Sequence, residues 1–104
     1  MNIRKQGTTL TLIPESDLTA NNIEGLKDYF IAQLKEHSDF THIQLDAGGI
    51  EVVDSLGVNL IVGLYREAVS RSAAIEIIGA GENFIKVANF FRLPSLFPIK
   101  KAEA

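Results

Sequence analysis

The sequence predicts an α/β fold: a small mixed, mostly parallel β-sheet with an N-terminal hairpin and about three main helices, in a single domain over residues 1–104. Three observations predict it. Strand-like segments alternate with longer stretches whose apolar residues recur three and four apart, the pattern of strand–helix–strand units. Gly7 separates the first two strand-like segments and marks the turn of a hairpin. A length of 104 residues is enough to bury a core without disulfides or metal.

Each element follows in order. Met1–Gln6, carrying Ile3, reads as an edge strand. Thr8–Ile13 alternates polar and apolar residues, so Leu10 and Leu12 are expected to face inward. Pro14 stops that strand, and Glu15–Asn22 is a polar connection with several potential helix caps. Ile23, Leu26, Phe30 and Leu34 then form one face of a helix running roughly to His37, weakened slightly by Gly25. Thr41–Asp46 is the next strand and Ala47–Gly49 a loop; Ile50, Val52 and Val53 lead into Asp54-Ser55. From Leu56 a second helix presents Leu60, Ile61, Leu64 and Ala68 inward and fades near Ser70–Ser72. Ala74–Ile78 is a further strand, ended by Gly79-Ala80-Gly81. A third helix carries Phe84, Ile85, Ala88 and Phe91 on one face, until Leu93-Pro94 ends it. Leu96, Phe97 and Ile99 form a last short strand or tuck under the sheet, and Lys100–Ala104 is expected to fray.

Composition narrows the function. The chain has no cysteine, so it has no disulfide, thiolate metal site or thiol nucleophile, which fits a reducing cytoplasm. A net charge of −3 gives no basic footprint for nucleic acid, and Arg4, Lys5, Lys100 and Lys101 are too few to change that. Neither a signal-peptide pattern nor an apolar run long enough to span a bilayer is present. A soluble, cytoplasmic protein without membrane insertion is therefore the expectation. Gly79-Ala80-Gly81 lacks the rest of a dinucleotide fingerprint and the lysine of a P-loop, so a plain strand–helix turn is expected and no cofactor. Phe84, Phe90, Phe91 and Phe97 read as core residues, with Phe90 or Phe91 a docking patch if exposed.

The chemistry concentrates at Asp54-Ser55. A hydroxyl at a helix start meets free backbone amides and the positive end of the helix dipole. On residues alone, Ser55 reads first as a helix cap, contributing about 1 kcal/mol. A cap hydroxyl also sits at an edge that an outside active site can reach. A serine hydrolase needs a base beside its nucleophile. The histidines, His37 and His42, flank the start of the Thr41 strand, at the end of a parallel sheet opposite Ser55, and no Gly-x-Ser-x-Gly elbow is present. An enzyme is not expected. Asp54 either orients Ser55 or is an ordinary turn residue; Asp46 is expected to satisfy local backbone groups.

Asp54-Ser55-Leu56-Gly57-Val58, set between an apolar run and the helix of Leu60–Ala68, resembles the STAS family, the domain of anti-sigma-factor antagonists that is also found at the ends of sulphate transporters. Glu15–Ala20 looks like the family's acidic turn, Thr41–Asp46 like its central strand, and Phe90–Ile99 like its closing segment. The resemblance covers nearly the whole chain. Two departures stand out: Leu56 where many relatives carry a second hydroxyl residue, and Pro14 where many have glycine. The resemblance implies that Ser55 is phosphorylated by an anti-sigma factor that is also a serine protein kinase, and that a metal-dependent serine phosphatase reverses this. It implies that the unphosphorylated form binds the kinase, freeing a sigma factor for transcription, and that the domain has no catalysis of its own. The expected partner-binding residues are Asp17, Thr19, Val53, Asp54, Leu56, Gly57, Val58 and Asn59. The alternative is a STAS subunit docking a transporter ATPase complex through the same face.

Overall fold

The computed structural model describes residues 2–102. Its elements are β1 (Asn2–Gln6), β2 (Thr9–Ile13), α1 (Ala20–Glu36), β3 (His42–Asp46), α2 (Ser55–Ser70), β4 (Ala74–Ala80), α3 (Glu82–Phe90), a 3₁₀ turn (Leu93–Ser95) and β5 (Ile99–Lys101). The sheet order is β1-β2-β3-β4-β5. The β1–β2 pair is antiparallel and every other pair is parallel. This is the mixed, mostly parallel α/β architecture the sequence predicts. Gly7 turns the hairpin at φ +59°, a left-handed value that suits a residue without a Cβ.

Each crossover steps one strand further in the same direction. Right-handed crossovers then place all three helices on one face of the sheet. The strands record this. Leu10 and Leu12, Ile43 and Leu45, and Ile75 and Ile77 lie side by side in register and are buried. On the other face, the Thr11 hydroxyl donates to Gln44 Oε1 at 3.0 Å, and Gln44 Nε2 donates to Glu76 Oε1 at 2.7 Å. Lys100 Nζ lies 3.1 Å from Glu76 Oε2 and ends this chain of polar contacts. A two-layer domain needs this alternation, because a sheet covered on both sides would read as continuous apolar runs.

Three expectations change at the C-terminal end. Lys100 and Lys101 belong to β5, and the Ala102 amide donates to the Ala80 carbonyl, so the chain stays ordered through them. Residues 103 and 104 lie outside the described residues. Phe91 caps the end of α3 and is half exposed instead of inward, because Arg92 turns left-handed (φ 59°) and swings the chain away. Phe90 is 81% exposed, packed edge-on against Phe91, whereas Phe84 and Phe97 are core residues.

Candidate functional site

The parallel strands β2 and β3 end side by side, so the loops that follow them meet at the C-terminal edge of the sheet. They are stitched together by backbone and carboxylate. Leu18 and Val53 form an isolated parallel bridge. The Leu18 amide donates to the Val52 carbonyl at 2.9 Å, and the Asp54 amide to the Leu18 carbonyl at 3.0 Å. Each loop also lends the other an acid. Asp17 Oδ1 accepts from the amides of Glu51 (2.9 Å) and Val52 (3.0 Å).

Asp54 does more. Its Oδ1 accepts from the Gly57 amide at 2.9 Å and caps α2. Its Oδ2 accepts from the Ala20 amide at 3.0 Å, in the first turn of α1. One carboxylate thus serves two helix N-termini, where negative charge is favoured. The Gly57 hydrogen bond above all, then those of Ala20 and Leu56, hold the Asp54 carboxyl below its ordinary value, against partial desolvation.

The cap is therefore Asp54, not Ser55. Ser55 is the first residue of α2 and is exposed. A capping residue keeps extended backbone, as Asp54 does at φ −99° and ψ −174°, which leaves the next residue inside the helix. Leu56 and Asn59, one and four residues on, are also exposed, and with Val52 they surround the serine. Val53, Gly57 and Val58 are buried and form the floor under this surface. Gly57 has a specific reason to be glycine: a Cβ there would lie 2.3 Å from the Leu18 carbonyl oxygen and 2.7 Å from Val53 Cγ2. Thr19 is the N-terminal flanking residue of α1 without a side-chain cap bond. Asp46 Oδ1 accepts from the Gly48 amide at 2.9 Å, a local backbone role.

Sequence reasoning missed the pairing of Asp17 with residues 51 and 52, and the second bond of Asp54. Neither leaves a signal in the chain, since the partners are 34 or 35 residues apart. The capping of α2 by Asp54 was signalled by an aspartate three residues before Gly57. His42 starts β3 at the opposite edge, about 13 Å away along the strand, with its Nδ1 2.9 Å from Thr41 Oγ1. Among the described residues, no helix is long and apolar enough to cross a membrane.

Solved structures share this architecture. The crystal structure of TM1081, a Thermotoga maritima protein designated an anti-sigma factor antagonist, superposes with a TM-score of 0.87 at 18% identity, covering 96% of this chain and 85% of that one. The NMR structure of TM1081 gives 0.80 at 17% identity, with coverage of 96% and 79%. The anti-sigma factor antagonist SpoIIAA in its unphosphorylated form gives 0.70 at 17% identity, with coverage of 99% and 88%. No curated protein matches the chain by sequence. The family model described as "Mlab, STAS domain" matches residues 1–98, and with the fold and the Asp54-Ser55 turn in place the chain belongs to the STAS family.

Proposed function

We propose that this STAS domain is an anti-sigma-factor antagonist in a partner-switching system, with Ser55 as its phosphate acceptor. The observation that carries this reading is the position of Ser55: exposed, first in α2, beside a cap that leaves its hydroxyl uncommitted to the fold. Ser55 is then a substrate for another protein's catalysis. Unphosphorylated, the surface of Val52, Ser55, Leu56 and Asn59, framed by Asp17 and Thr19, binds an anti-sigma factor that is also a serine protein kinase. A metal-dependent serine phosphatase restores that state.

A phosphate adds about −1.5 to −2 charge. The N-terminus of α2 accepts that charge within the domain, while the Asp54 carboxylate opposes it. A partner packed over Leu56 would have to bury a dianion, which is costly unless it is paired. The fold persists and binding changes. Incubation with candidate anti-sigma kinases and ATP, read by mass spectrometry, should place one phosphate on Ser55 and none on Ser55→Ala. Ser55→Asp should weaken binding to the same kinase by about tenfold or more. Phosphate on another residue, or undiminished binding by Ser55→Asp, overturns the reading. The same face, with Leu56 exposed on it, also suits a second reading, a STAS subunit docked on a transporter ATPase. A domain that binds such an ATPase and accepts no phosphate would establish it.

A further inference from the structure

A groove of about 500 Å³ runs between α1 and α2. Ile23, Phe30, Ile31 and Leu34 line it from α1, and Leu56 and Leu60 from α2. Both ends are clamped. Asp54 bonds the starts of the two helices. At the far end Arg71 Nε donates to Glu67 at 2.8 Å, and its Nη1 to the Leu34 carbonyl at 2.9 Å. The gap is thus held open by fixed ends. The apolar rim residues Ile31 and Leu56 remain 42% and 47% exposed.

The groove is also charged against the trend of the molecule. Lys27 and Lys35 border it, and among the described residues neither makes an ion pair. Glu67 and Arg71 cancel one another. In a chain of net charge −3, the groove therefore carries two uncompensated cations. Leu56 and Asn59 belong to it and to the exposed turn of Ser55, so the two surfaces are continuous.

The geometry points to this groove as the seat of an amphipathic helix of the partner protein, with apolar anchors at three- and four-residue spacing flanked by acidic residues. The wall from Leu56 to Arg71 is about 22 Å long, or four turns of a bound helix. The anchors match the apolar walls and the acids match Lys27 and Lys35. The inference rests on the reading above for the identity of the partner. It adds that a phosphate on Ser55, at the mouth of the groove, repels the acidic flank of the same helix.

Two helical glycines make a matched test. Gly63, in the groove, and Gly25, outside it, are exposed helical positions where a Cβ meets nothing within 4 Å. Leucine is therefore introduced at each without a clash at its Cβ, and circular dichroism checks that both variants keep the fold. The probe is a stapled, fluorescent helix of about 18 residues with a leucine face flanked by glutamates. Its counterparts are the same leucine face flanked by lysines, and dodecanoate. In anisotropy titrations the glutamate peptide should bind wild type and Gly25→Leu equally. Gly63→Leu, and Lys27→Glu combined with Lys35→Glu, should each weaken it by about tenfold or more, and the lysine peptide should be weaker by as much. No saturable binding, indifference to Gly63→Leu, equal binding of the two peptides, or binding of dodecanoate alone overturns the inference. None of these arms uses phosphate transfer, so a groove that fails here is distinct from a Ser55 that accepts no phosphate.

Discussion

Asp54 and Ser55 divide the work of one turn. The aspartate holds two helices and the serine beside it is left exposed. Because hydrogen bonds from Gly57, Ala20 and Leu56 hold the Asp54 carboxyl below its ordinary value of 3.8, its contribution to stability is present above that value. It is lost as the pH falls through the lowered folded-state value. Thermal unfolding from pH 7 to pH 3 should therefore fall less steeply on the acid side for Asp54→Asn than for wild type, the two slopes differing by less than about one proton. An unchanged slope would mean the carboxylate is not coupled to folding. Gly57→Ala should destabilise the domain by about 1–3 kcal/mol in urea unfolding, since the added methyl meets the Leu18 carbonyl and Val53. A variant as stable as wild type would show that the α2 turn shifts freely away from the Leu18–Val53 bridge.

At the scale of elements, α1 and α2 run the same way and are bonded at both ends, by an anion at their N-termini and a cation near their C-termini. Each charge has the sign the helix dipoles favour at that end. Arg71 also lies 5.4 Å from the centre of the Phe40 ring. Arg71→Met keeps the apolar stem and loses the bonds to Glu67 and the Leu34 carbonyl, together with the ring contact. It should cost about 1–2 kcal/mol in denaturant unfolding. It should also speed amide exchange in the last turns of both helices. Exchange quickened in only one of them would show that Arg71 does not join the pair.

At the scale of the molecule, a single helical layer leaves the second face of the sheet to polar side chains that bond across strands. The Gln44 bond, ahead of the Lys100 contacts, holds the Glu76 carboxyl below its ordinary value of 4.5. Gln44→Leu should therefore raise the Glu76 value, read by NMR titration of its side chain, with the helices unperturbed. A Glu76 that titrates as before would assign the effect to Lys100. This face and the exposed Phe90 lie apart from the Ser55 surface, which gathers at the ends of β2 and β3. The phosphate proposed for Ser55 would therefore sit at one edge of the molecule, away from the core that supports it.

The order of strands and helices, the hairpin at Gly7, the inward Leu10 and Leu12 and the serine at the start of α2 were legible in the sequence. Each rests on contacts between residues near in the chain or on periodicity that a single segment carries. The tertiary structure alone decided that Val53 and Val58 lie under the site, that Phe91 turns outward, and that Lys100 and Lys101 join the sheet. The first depends on which loops the parallel register of β2 and β3 brings together, the second on the left-handed turn at Arg92, and the third on the pairing of β5 with β4. Hydrogen bonds between Asp17 and residues 51 and 52, or between Asp54 and Ala20, close over more than thirty residues and have no local pattern to announce them.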